Sequence, residues 1–148
     1  MKHKILPPTY FYSFIGLSII FHFIFPIRQV VFPPWSYLGI LPIVFGIFFN
    51  IWADRLFKQH KTTENPFKVP SSLVISGPFK ISRHPMYLGM VMILVGISLI
   101  LGSLIVFLFP LLFILLMEFL FISYEEKNME KIFKNEYKIY KKKVRRWV

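Results

Sequence analysis

PMYLGMVMILVGISLILGSLIVFLFPLLFILLMEFLFISY (residues 85–124) decides the fold, because forty consecutive residues carry a single charge, Glu118. A bilayer core takes about 20 apolar residues per helix. The stretch therefore reads as two spans, 86–101 and 104–124, joined at Gly102-Ser103 as a tight helical hairpin. Pro85 suits a first helical turn, where its missing N–H costs nothing. Two further apolar runs precede it: 9–25, closed by Pro26, and 37–53, opened by Pro33-Pro34-Trp35. After the first run, Pro26-Ile27-Arg28 offers no small-residue cleavage site, which favours a retained helix over a secretory signal peptide.

Composition agrees. The 148 residues are 55% hydrophobic, 19% aromatic and 17% charged, with a mean hydropathy of +0.58, whereas a soluble domain carries about a quarter charged residues. With no cysteine, disulfides, a thiol nucleophile and cysteine-ligated metals are excluded. The net charge of +11 is concentrated: six Lys/Arg lie in 54–84, nine in 127–148, and Lys2 and Lys4 precede the first run. Four spans put all of these on one side and leave only Arg28 on the other. By the positive-inside rule that side is cytosolic, and such charge meets anionic headgroups rather than nucleic acid. The expected fold is all-α, one domain over 1–148: an integral membrane bundle of about four transmembrane helices, with a cytosolic loop 54–84 and tail 125–148.

Gly39 and Gly46 are seven residues apart, as are Gly89 and Gly96, so each pair shares a helix face. Such faces suit close helix packing or, at Gly89/Gly96, contact with a cofactor or acyl chain. From Glu125 onward, Met129, Ile132, Phe133, Tyr137, Tyr140, Val144 and Trp147 recur every three or four residues among lysines. That is the pattern of an amphipathic interfacial helix, serving as an anchor or as a lid over a site in the 54–84 loop.

Phosphate-cradling, dinucleotide, zinc-protease and serine-hydrolase motifs are missing from the sequence. The four histidines (His3, His22, His60, His84) show no metal-ligand spacing. Two polar constellations remain. His84, next to Arg83, stands at the mouth of the Pro85 helix, where free backbone N–H groups attract an anion, and Tyr87 lies one turn inside. Glu125-Glu126 leaves the fourth span, seven residues after Glu118. An acidic group at membrane depth faces a protein partner by default, so Glu118 is expected either to share the site face with Glu125 or to hydrogen-bond Asn50 or His22.

Gly77-Pro78-Phe79 leading to Arg83-His84-Pro85-Met86-Tyr87-Leu88-Gly89, an apolar hairpin, then Glu125-Glu126 with Phe133, Glu136-Tyr137, Tyr140 and Val144, resembles the integral membrane methyltransferases. These are the isoprenylcysteine carboxyl methyltransferases and the related phospholipid methyltransferases, and the resemblance covers about residues 64–144. It implies methyl transfer from S-adenosylmethionine to a lipid-borne acceptor, with the cofactor in a cytosolic cavity rather than a Rossmann fold. Carried over by motif, the cofactor contacts are Ser71, Ser72, Leu73, Val74, Phe79, His84, Pro85, Met86 and Tyr87, and also Glu64, where isoprenylcysteine enzymes have an amide-type residue. His84 and Glu125 are the implied catalytic pair, and Glu125 and position 121 border the acceptor. Carboxyl-methylating members have an arginine four residues before the glutamate matching Glu125. Here that residue is Phe121, so the anchor for an acceptor carboxylate is missing and an amine or thiol fits as well. Lys134 stands where the family has a glycine. Rival readings are a sterol-type NADPH reductase, which shares the His-Pro-x-Tyr element, and a non-enzymatic helical accessory protein.

Overall fold

Apolar runs this long leave the backbone to satisfy its own hydrogen bonds, which a helix does within one segment. The computed structural model describes residues 5–25 and 27–148; Lys2, His3, Lys4 and the Pro26 stop lie outside them. Five α-helices follow in order: α1 (Pro7–Ile24), α2 (Ile40–Gln59), α3 (Pro85–Leu101), α4 (Leu108–Met117) and α5 (Ser123–Lys143). Tight turns at Trp35–Gly39 and Leu104–Phe107 lead into α2 and α4, and a π-helical turn, Glu118–Ile122, joins α4 to α5. Extended pairing among the described residues is one isolated bridge, Gln29 with Ser103.

The hairpin turns where expected. Gly102 ends α3 in the left-handed conformation (φ 70°), a backbone state that favours glycine. Two boundaries differ from the sequence reading. α2 runs past Ala53 to Gln59, and the ion pair of Lys58 with Asp54, 2.7 Å apart and one turn on, lets charged residues continue the helix. The tail does not form one smooth helix: Lys134 (φ 44°, ψ −116°) breaks α5 into two pieces.

α2 and α3 pack backbone to backbone. A Cβ added at Gly46 would strike the carbonyl oxygen of Gly89, and one at Gly39 that of Gly96. The glycine faces thus fill each other and leave no space between them for a cofactor or acyl chain. Two apolar cores result. One, around Phe11, Leu94, Phe113, Met117 and Ile122, lies among α1, α3 and α4. The other, Ala53, Val74, Phe79, Tyr137 and Tyr140, joins the end of α2 to the 54–84 loop and the second half of α5.

The outward faces are apolar as well. Phe23, Leu41 and Phe119 are 74%, 65% and 78% exposed, within a broad apolar surface that marks a membrane-associated protein. Among the described residues two helical runs, Trp35–Gln59 and Leu104–Lys143, are long and apolar enough to cross a bilayer, while α3 has 17 residues.

Candidate functional site

The second core roofs a cleft of about 200 Å³. Its walls come from five places: the start of α1 (Leu6, Pro7, Pro8), the end of α2 (Phe57), the loop (Glu64, Ser72, Leu73, Val74, Phe79), the mouth of α3 (Arg83 to Tyr87) and α5 (Glu125, Met129, Tyr137, Tyr140). Gly77 (φ 58°) makes the turn that buries Phe79, and a Cβ there would press on Leu56 at 2.7 Å. Tyr140 locks that turn by donating to the Phe79 carbonyl at 2.6 Å.

At the floor, Glu125 Oε1 accepts from the Tyr87 hydroxyl at 2.5 Å, and Glu125 Oε2 lies 3.3 Å from His84 Nδ1. The His84 ring stacks on Tyr87 with centroids 5.8 Å apart. His84 Nε2 is 3.5 Å from Glu126 Oε1, within reach of its charge but outside hydrogen-bond geometry, and it has no hydrogen-bond partner among the described residues. Glu126 is buried and bonded to Arg83 Nη2 at 2.9 Å and to Arg146 Nε at 3.0 Å and Nη2 at 2.6 Å.

Burial alone would lower the His84 pKa, but the carboxylates of Glu125 and Glu126, both within 3.5 Å of the ring, outweigh it and hold the imidazole above its ordinary value. Burial pushes Glu126 up, yet His84, Arg146 and Arg83 overcome that and bring it down to about 2. Burial also raises the phenols of Tyr137 and Tyr140. The floor is thus a charged cluster in which the protonated form of His84 is favoured and Glu126 is ionised at neutral pH.

Of the residues singled out in the sequence, Glu64, Ser72, Leu73, Val74, Phe79, His84, Pro85, Met86, Tyr87 and Glu125 line this one cleft. Ser71 does not. It faces away, its hydroxyl donating to the Lys61 carbonyl at 2.8 Å and so tying the loop to the end of α2. Phe121 is buried in the first core, edge-on to Tyr10 and tilted against Tyr87, and is not part of the lining.

Glu118 corrects both expectations made for it. Its carboxylate pairs with Arg146 and accepts from the Trp147 indole at 3.3 Å, while Asn50 bonds the Gly46 carbonyl and His22 bonds Ser103. The π turn is the reason. One extra residue between Glu118 and Glu125 rotates the helix face by roughly 100°, so a seven-residue spacing no longer places both on one side.

Arg83, placed beside His84 by the sequence, lines the cleft too; sequence reasoning missed the lining from Leu6 to Pro8 and Phe57, which no motif marks, and Met129, Tyr137 and Tyr140. The last three belonged to the apolar stripe of the tail. Read as inward-facing, that stripe would have named them. The lid arrangement, not an anchor alone, is what the stripe forms here.

A helical, membrane-associated protein with a charged, aromatic-walled cleft at one end of its bundle is the class these features define. The phospholipid methyltransferase family matches residues 35–136, and the chain belongs to that family. The chain is also similar to an uncharacterised protein of Haemophilus influenzae, 41% identical over 63 residues, which are 43% of this chain and the whole of that protein. No solved structure matches it. Membership brings methyl transfer to a lipid as the class of reaction; neither the reductase nor the non-enzymatic reading finds support in these matches.

Proposed function

We propose that this protein transfers a methyl group from S-adenosylmethionine to a lipophilic, membrane-borne acceptor. All four apolar segments cross the bilayer in this reading, with the 54–84 loop and the tail on the cytosolic side. The observation that carries it is the convergence of two motifs, separated by the α3–α4 hairpin, on one cleft whose floor is His84, Tyr87 and Glu125.

The residues present suit the cofactor. Arg83 and His84 line the cleft and keep buried donors, Arg83 Nε and Nη1 and His84 Nε2, without hydrogen-bond partners among the described residues; such donors call for an acceptor. The first turn of α3 adds free N–H groups at Met86 and Tyr87, a natural place for a carboxylate. Phe57, Phe79 and Tyr87 supply aromatic walls for a sulfonium and its adenosyl group. When bound, S-adenosylmethionine supplies the electrophilic methyl group, and the chain's main task is to hold the reactants in line. Tyr87 and His84 fix the Glu125 carboxylate from two directions, so it meets the acceptor in one orientation. A protonated amine loses its proton to Glu125 before attack; a carboxylate acceptor needs no base. Phe121, apolar and buried, gives an acceptor carboxylate no anchor and weighs toward the amine.

Calorimetry of S-adenosylmethionine binding tests the site. Wild type binds, and His84→Ala and Tyr87→Ala each weaken binding at least about tenfold, equal to 1.4 kcal/mol. Unchanged binding in both variants overturns the assignment. Transfer of a labelled methyl group to phosphatidylethanolamine, prenylcysteines or small thiols then identifies the acceptor.

A further inference from the structure

Beyond α5 the chain folds back as a strap, residues 144–148, across the mouth of α3. The Arg83 backbone N–H donates to the Arg145 carbonyl at 3.1 Å, and the fully buried Ser82 hydroxyl donates to the Arg146 carbonyl at 3.0 Å. The same Ser82 oxygen accepts from the His84 backbone N–H at 3.1 Å. Trp147 packs into the first core. Between these anchors Arg146 reaches inward, takes both oxygens of Glu126 and pairs with Glu118. The strap lies outside the stretch matched by the family, which ends at residue 136.

We infer that Arg146 is a positioning residue for His84. Its guanidinium fork holds Glu126 where that carboxylate faces the imidazole, and so favours the protonated ring and keeps it aimed at Glu125. Arg146 does not line the cleft; it acts through Glu126. Such a fork fixes a carboxylate in two dimensions, which a lysine cannot do. Around His84 the other charged or titratable groups are Glu125 and Glu126 from α5, Tyr87 from α3 and Arg83 beside it, with Lys141 standing 3.8 Å from Glu126.

The test is the titration midpoint of His84, read by NMR of the full chain in micelles and assigned with His84→Gln. Deleting a nearby positive charge and nothing else raises a histidine's midpoint; only displacement of Glu126 lowers it. Arg146→Met keeps the alkyl packing, and the midpoint is expected to fall by about one unit. Arg146→Lys restores charge without the fork and is expected between wild type and Arg146→Met. Trp147→Phe, which leaves Arg146 in place, keeps the wild-type midpoint. A midpoint that rises or stays in Arg146→Met, or a lysine variant equal to wild type, overturns the proposal. So does a Trp147→Phe shift as large as that of Arg146→Met. If Arg146→Met does not fold, the lysine variant alone decides. The kinetic part rests on the methyltransferase reading: kcat falls about tenfold in Arg146→Met, with KM for the cofactor within about twofold. Absence of methyl transfer in the wild type would defeat that reading and leave the NMR result standing.

Discussion

Where α2 meets α3, no side chain separates the two backbones at Gly39, Gly46, Gly89 and Gly96. At the mouth of α3, by contrast, Arg83, Glu126, Arg146 and Glu118 form a chain of ion pairs, two of its members nearly buried. The bundle gains its rigidity from closeness, since in a bilayer lipid is as apolar as leucine and only tight packing distinguishes one helix face from another. The cleft cannot be built that way. It must present charge toward a ligand, so its walls are held by directional bonds, and each removed partner leaves another group buried and unpaired. The two regions should therefore fail differently.

Breaking the bundle has the largest effect. In Gly46→Val the new Cβ meets the Gly89 carbonyl and, at 2.8 Å, the Ile93 side chain. Backbone cannot step aside as a side-chain tip can, so the cost exceeds the about 3 kcal/mol upper end of ordinary overpacking. Folded protein recovered in detergent should drop sharply, and a variant with wild-type thermal stability would show that the helices are not in backbone contact.

Breaking the cleft comes next. Glu126→Gln leaves Arg83 buried without its counter-charge and costs about 3 kcal/mol, with amide exchange rising around residues 77–87 and 123–147 before the α2–α3 pair loosens. The same cluster sets the pH window. His84 is raised, so its contribution is complete below about pH 6.5 and is lost as pH climbs through the higher folded value. Glu126 is depressed to about 2, so its contribution is present above about pH 4.5 and is lost as pH falls toward 2. Wild type should lose cleft stability at both ends of that range, and Glu126→Gln should flatten the acid side. A variant with an unchanged acid limb would remove Glu126 from the account.

The same contrast explains what could be read from the chain. The bundle was legible because its determinants are local: apolar runs of fixed length, Pro85 opening α3, Gly102 ending it, glycines two turns apart. Much of the cleft was legible through the family resemblance, whose motif holds Phe79, His84, Pro85, Met86 and Tyr87 within one short segment. What escaped depends on distance or on a single extra residue. Nothing in the composition of Glu118–Ile122 announces a π turn, yet that turn sends Glu118 away from Glu125 and toward Arg146, 28 residues on. Asp54 and Lys58 read as loop charges until their pairing across one helical turn is considered.

The smallest effect sharpens the comparison at the break in α5. Lys134 adopts a positive φ of 44° with ψ −116°, a sparsely populated region that costs a residue with a Cβ about 1–3 kcal/mol. Glycine escapes this cost but loses about 0.5–1 kcal/mol more of conformational freedom on folding. Lys134→Gly should therefore raise stability by between about zero and about 2.5 kcal/mol, seen as a modest rise in Tm. The gain should be confined to the lid, because the break is what swings Tyr137 and Tyr140 onto the cleft while Met129 stays on its wall. Affinity for S-adenosylmethionine should hold or improve slightly. A drop in Tm would mean that Lys134 contributes more through its side chain than its backbone loses, and the lid would then owe its angle to the ion pairs of Glu126 and Lys141 rather than to the bend itself.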